Sequence, residues 1–165
     1  MTTRTLTLLV CALCMSVTLH AQVVLPERDM SGSLHQNVFG LGLAAGPASG
    51  MGLSFRHHLP TTFSYQITGG IIKVDERLQY AIGGEVQFDL SRSASARFFV
   101  VGAAGYYYAG SSDRNEMAAP GRAGVGLGGE IYSGSGFHAN LELVFTYFSD
   151  GTVLPLPQFG LYYYF

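Results

Sequence analysis

Bulky apolar residues alternate with small or polar ones along most of this chain, at a period of two. That period is the mark of β-strands, whose successive side chains point to opposite faces. In residues 37–45, Phe39, Leu41, Leu43 and Ala45 share one face, and Val38, Gly40, Gly42 and Ala44 the other. In 51–58, Met51, Leu53, Phe55 and His57 stand opposite Gly52, Ser54, Arg56 and His58. In 62–74, Phe63, Tyr65, Ile67 and Ile71 oppose Ser64, Gln66, Thr68 and Gly70. Residues 77–90 set Leu78, Tyr80, Ile82, Val86, Phe88 and Leu90 against Gln79, Ala81, Gly83, Glu85, Gln87 and Asp89. Residues 96–109 are apolar on both faces, so their phase stays open; Arg97 alone hints that odd positions point inward.

In 121–132, Ala123, Val125, Leu127 and Ile131 oppose Arg122, Gly124, Gly126, Gly128, Glu130 and Tyr132. In 137–148, Phe137, Ala139, Leu141, Leu143, Phe145 and Tyr147 oppose His138, Asn140, Glu142, Val144, Thr146 and Phe148. The last strand puts Phe159, Leu161, Tyr163 and Phe165 on one face, and Tyr162 and Tyr164 on the other. Pro155 and Pro157 have no ladder donor, so regular pairing is expected to begin near Gln158.

The pattern predicts an all-β fold of eight strands, a single antiparallel up-and-down barrel over residues 37–165. Spanning strands need about 9–11 residues, and eight is the smallest even count such barrels use. With both ends on one side, connections 46–50, 75–76, 110–120 and 149–156 face one way, and 59–61, 91–95 and 133–136 the other.

Composition sharpens this. Hydrophobic residues make up 48% and charged ones 12%, against about 25% charged in soluble domains. A charge-poor chain without a long apolar run after its beginning can cross a membrane only as a closed barrel. Residues 1–21 read as a cleaved signal peptide: Arg4 is the positive region, Leu6 to Leu19 is apolar, and Leu19-His20-Ala21 is the cleavage site. The apolar stretch is about 14 residues, short of the ~18–20 of a spanning helix. Residues 22–36 are expected to form an irregular stub. Cys11 and Cys14 both fall in the leader, which leaves no disulfide or thiolate metal site beyond it. Val10 and Leu13 precede them in place of the small residues a lipidation signal needs. The formal net charge is −2 with no basic stripe, so nucleic acid is not an expected partner.

Signal, eight alternating strands and the terminal Tyr163-Tyr164-Phe165 together resemble small outer-membrane β-barrel proteins of the OmpA/OmpX type. The resemblance covers residues 37–165 and rests on pattern and C-terminus, not on an internal motif. It implies a bacterial outer-membrane location reached by Sec export, and outer-membrane lipid as the surroundings. It also implies that Tyr163 and Phe165 are an assembly signal read by the barrel-assembly machinery. The absence of Trp departs from many relatives, and Tyr and Phe can serve at the interfaces instead.

Candidate chemistry lies on the inward faces. Arg56, Glu85, Arg122, Glu130 and Glu142, with Gln66, Gln79, Gln87 and Asn140, are expected to form an interior polar network. Side chains just fill an eight-stranded barrel, and buried charges must pair. The sharper reading is a gated pore or proton path. Gly124 to Gly129 fits G-x-G-x-x-G, but strand rather than helix follows, so the glycines are read as space for large neighbours. His57 and His58 point to opposite faces and cannot chelate one ion. The deacylase-type barrel arrangement His-x-Ser-Asn finds here only His138-Ala139-Asn140, without a nucleophile. A lipocalin-like soluble barrel would be apolar within and polar outside, the reverse of this pattern. The expectation is a monomeric barrel with a closed polar interior and a structural or surface-interaction role. It needs no cofactor and performs no catalysis. A narrow porin-like channel or a lipid A-modifying enzyme is the alternative.

Overall fold

The computed structural model describes residues 38–111, 114–132 and 136–165. The leader 1–21, the stub 22–36 and parts of the connections 110–120 and 133–136 lie outside the described residues. Eight strands follow in order: β1 (Val38–Gly46), β2 (Gly50–His58), β3 (Phe63–Val74), β4 (Arg77–Arg92), β5 (Ala96–Gly110), β6 (Gly121–Tyr132), β7 (Phe137–Phe148) and β8 (Val153–Tyr164). Each pairs antiparallel with its neighbours in sequence. β1 also pairs with β8, from Gly40 opposite Tyr164 to Ala45 opposite Phe159, and this closes the barrel. Val38 and Phe165 lie at one rim, here the terminal rim; the turn between β1 and β2 lies at the other, the distal rim.

Alternation becomes two faces. Leu41, Leu53, Ile67, Val86, Val125, Leu141 and Leu161 are exposed outside, while Arg56, Gln66, Glu85, Gln87, Glu130, Glu142 and Gln158 are buried inside. The open phase of β5 resolves with odd positions inward: Arg97, Phe99, Val101, Ala103 and Tyr107 are buried. The interior is therefore not wholly polar. Phe99, Val101 and Ala103 join Ala48 and Val144 in an apolar cluster, because β5 has few polar residues of either parity to send inward.

Two strands run further than their sequences suggest. β4 reaches Arg92 because the ladder to β5 skips Leu90, with Asp89 opposite Phe99 and Ser91 opposite Phe98. This bulge changes parity, so Asp89 and Arg92 both reach the interior and pair with each other. The expected turn 91–95 shrinks to 93–95, closed by Ser93 N–H donating to Ala96 O at 2.8 Å. β8 begins at Val153, five residues before Gln158, with Pro155 and Pro157 opposite Phe145 and Leu143. Both prolines precede Phe159, where pairing with β1 starts. Sharing one parity, they turn their nitrogens toward the same edge, and β8 has no β1 partner there to miss a donor.

Two distal connections behave differently. β2 pairs with β3 only as far as Leu53 opposite Gly69, whereas β3 and β4 pair out to Val74 opposite Arg77. This hairpin stands beyond the barrel, and Asp75 takes a left-handed φ of 52° at its tip. Gln79, expected inside, is exposed on it. The β1–β2 turn instead folds into the barrel mouth, where Ala48 and Ser49 are 0% and 2% exposed. Gly50 leaves that turn at a φ of 100°, a conformation glycine adopts without steric cost.

Candidate functional site

Arg56 on β2 is fully buried at the centre of the interior charges. Its Nε donates to Gln66 Oε1 at 2.9 Å, and Nη1 to Glu130 Oε2 at 2.8 Å. Nη2 reaches Glu85 at 3.3 Å and lies 3.9 Å from Glu142. The guanidinium carbon sits 4.1 Å above the Tyr162 ring. Arg97 on β5 approaches Glu130 from the other side. Its Nη2 donates to Glu130 Oε2 at 2.5 Å, and its Nη1 donates to Asp89 Oδ1 at 2.8 Å and Ser64 Oγ at 3.0 Å. Glu130 thus receives two guanidiniums, and His138 Nδ1 lies 2.8 Å from its other oxygen.

Glu142 is held mainly by amides. Asn140 Nδ2 donates to Oε1 at 2.6 Å and Gln87 Nε2 at 3.3 Å, while Gln158 Nε2 donates to Oε2 at 3.1 Å. Asn140 Oδ1 is buried without a hydrogen-bond partner. Glu85 and Glu142 share a donor, since Gln87 Nε2 also bonds Glu85 Oε1 at 2.5 Å.

Four of the five sequence-derived residues, Arg56, Glu85, Glu130 and Glu142, meet in this network. Arg122 does not. Its parity is inward, but it sits opposite Gly105 and Phe148 near the distal rim. There its guanidinium stacks over Tyr107 at 4.1 Å and Phe148 at 4.9 Å and donates to the carbonyls of Ala119 and Pro47. Parity gives the face of a residue but not its height along the barrel. Gln66, Gln87 and Asn140 join them as expected, and Arg97, Asp89 and Gln158 belong to the network without having been among the residues expected to form it. Arg97 was obscured by an apolar strand, and Gln158 acts on a turn more than a hundred residues away.

The glycines of the G-x-G-x-x-G stretch serve packing. A Cβ on Gly128 would come within 2.6 Å of the Phe99 ring, and one on Gly124 within 2.6 Å of Val144 Cγ1. His57 stacks on Phe39 outside at 4.4 Å, while His58 Nε2 meets Tyr164 OH inside at 2.8 Å. Among the described residues no cluster of His, Cys, Asp and Glu could hold a metal. Ala139, at the position a nucleophile would take, pairs with Ile131 and Leu161 on the outward face. Near the terminal rim, Val38, His58, Arg92, Arg97, Tyr132, His138 and Tyr164 enclose about 40 Å³, room for a water or two.

Tyr163 and Phe165, the expected assembly signal, point outward at 49% and 68% exposure, and the Phe165 N–H donates to Phe39 O at 3.0 Å. No family model matches the chain, and no curated protein or solved structure matches it.

Proposed function

We propose that this chain is a transmembrane barrel of a bacterial outer membrane, OmpA/OmpX-like in build, with a closed interior and a structural or surface-interaction role rather than a catalytic one. The observation that carries the reading is the inversion of polarity on a closed barrel. Arg56, Glu85, Asp89, Arg97, Glu130 and Glu142 are buried inside, and every strand carries large apolar side chains on its outer face. Water would penalise such a surface, because monomeric soluble proteins rarely expose contiguous apolar patches beyond a few hundred Å². Lipid removes the penalty, and the pairing of β1 with β8 from Gly40–Tyr164 to Ala45–Phe159 closes the sheet on itself, as a spanning barrel requires.

Two further features agree. A nine-residue strand such as β1, rising ~3.3 Å per residue and tilted by ~40°, spans roughly 23 Å, close to the ~25 Å apolar band of outer-membrane barrels. Aromatic pairs gather toward both ends of the wall: Phe39–Phe55, Phe63–Phe88 and Phe137–Tyr163 on the terminal side, Tyr80–Tyr108 on the distal side. Aromatic rings favour the two membrane interfaces. The closed reading rests on the interlocked Arg56, Arg97 and Glu130 side chains filling the bore.

Expression of the full chain in a diderm host, followed by membrane fractionation and unheated electrophoresis, tests the proposal. The protein should enter the outer-membrane fraction, need detergent for solubility and migrate faster unheated than heated. In planar bilayers it should give no channel steps. A monomer soluble without detergent would overturn the membrane reading, and steady single-channel conductance the closed one.

A further inference from the structure

The β1–β2 turn is tied into the distal mouth by side chains of three distant strands. Gln158 Oε1 on β8 accepts from Ala48 N–H at 3.0 Å, Ser49 N–H at 3.1 Å and Ser49 Oγ–H at 3.3 Å. Tyr107 OH on β5 accepts from Gly50 N–H at 2.9 Å and donates to Gly46 O. Arg122 on β6 donates to Pro47 O. Two glycines make the room: a Cβ on Gly83 would lie 2.6 Å from the Ser49 carbonyl carbon, and one on Gly105 would lie 2.6 Å from Ala48 O. The turn's only ladder neighbours are Gly46 and Gly50, paired with each other, so it is flanked by glycine on both sides. Gly50 and Gly52 both take positive φ, at 100° and 133°.

Gln158 also faces the other way, donating Nε2 to Glu142 Oε2 at 3.1 Å. An amide has one acceptor end and one donor end. The Glu142 carboxylate fixes which end meets the turn: with Nε2 on Glu142, Oε1 must face the N–H groups of Ala48 and Ser49. An amide turned the other way would set donor against donor. Glu142 itself faces Glu85 and Gln87 of β4, Arg56 of β2 and Asn140 of its own strand.

We propose that the Pro47–Ser49 turn is a hinged plug of the distal mouth, latched shut by Gln158, and that Glu142 sets the latch by orienting the Gln158 amide. Swung outward on its glycines, the turn would uncover the apolar cluster of Phe99, Val101, Ala103 and Val144 that Ala48 now caps. The proposal rests on contacts inside the barrel, so its test stands apart from that of the membrane reading.

The test is thiol accessibility in the detergent-solubilised barrel, with Ser49→Cys as reporter, Cys11 and Cys14 replaced by Ala, and Thr152→Cys as the exposed reference. Folding is checked in every variant by unheated electrophoresis. With a small water-soluble methanethiosulfonate, the reporter thiol should react far more slowly than the reference thiol. Gln158→Leu, which removes the acceptor, should speed labelling of the reporter at least about tenfold, a change matching the loss of the hydrogen bonds it makes. Gly105→Ala, whose Cβ would press on Ala48 O and the Tyr107 ring while leaving the Gln158–Glu142 pair untouched, should also speed it. Gly102→Ala, whose Cβ would meet nothing within 4 Å, should leave it slow. Glu142→Leu should speed it with Gln158 still in place. A reporter that reacts as fast as the reference, with no other substitution present, overturns the plug, as do Gln158→Leu and Gly105→Ala barrels that stay protected. A Glu142→Leu barrel whose reporter stays as slow as it is with Glu142 in place overturns the role of Glu142.

Discussion

Glu130 Oε2 accepts from two buried guanidiniums at 2.8 and 2.5 Å. Removing one member of such a group leaves the other charges buried without compensation, which costs on the order of 3–5 kcal/mol. Glu130→Gln should therefore lower the unfolding free energy by about that amount in urea titrations followed by tryptic protection. Arg122→Met should cost only about 1 kcal/mol, since Arg122 pairs with rings and carbonyls rather than with a buried carboxylate. Equal losses would mean that Arg122 is held as firmly as the buried carboxylate of Glu130, contrary to the geometry. Period-two parity alone was enough to send Arg56, Glu85, Glu130 and Glu142 inward. It misplaced Arg122 and Gln79 because it carries no information about height. It also could not reach Arg92, because the bulge at Leu90 changes the parity that brings that residue in.

β8 shows how a strand's end serves both pairing and exposure. Tyr162 and Tyr164 are buried against Arg56 and His58, while Phe159, Leu161, Tyr163 and Phe165 stand outside. On the outer-membrane reading, Phe165→Ser should reduce assembled barrel while export continues, measured as loss of the heat-modifiable form with precursor processing unchanged. Unaltered assembly would leave Phe165 as ordinary outer surface. At the distal rim, Arg77 beside the tip of the β3–β4 hairpin pairs with Glu116 of the next connection at 2.9 Å. Hydrogen bonds from Arg77 first and Ser111 second hold the Glu116 carboxyl below its usual range. With a lowered folded value, the pair's contribution is present above the ordinary carboxylate value and is lost as pH falls through the lowered one. Side-chain carboxyl NMR should show Glu116 titrating below the other exposed glutamates, and Arg77→Ala should return it to their range. No change on Arg77→Ala would remove this account of how the hairpin and the connection are joined. The earlier start of β8 at Val153 follows from β1 stopping short of it, so two prolines unfit for a central strand sit on a locally free edge.

Closure of the eight strands makes the distribution of polarity unambiguous. The inside holds arginines, carboxylates and amides, and every strand carries large apolar side chains on its outer face. Alternation is a local property, repeated every two residues, and it settled the strand count, the antiparallel order and most inward-facing positions without knowledge of any contact. The glycines read the same way, as space on the inner face of β6 for Phe99, Val144 and Glu142. What alternation could not supply depends on residues far apart in the chain meeting across a bore only a few side chains wide. Such meetings turned the β1–β2 connection into a turn buried beneath Gln158 and Tyr107. They also joined Arg97 to Glu130 and put an apolar cluster beside the charged one. Strand pattern is written in neighbouring residues, whereas register, height and the fill of a closed interior are set only when all eight strands are in place.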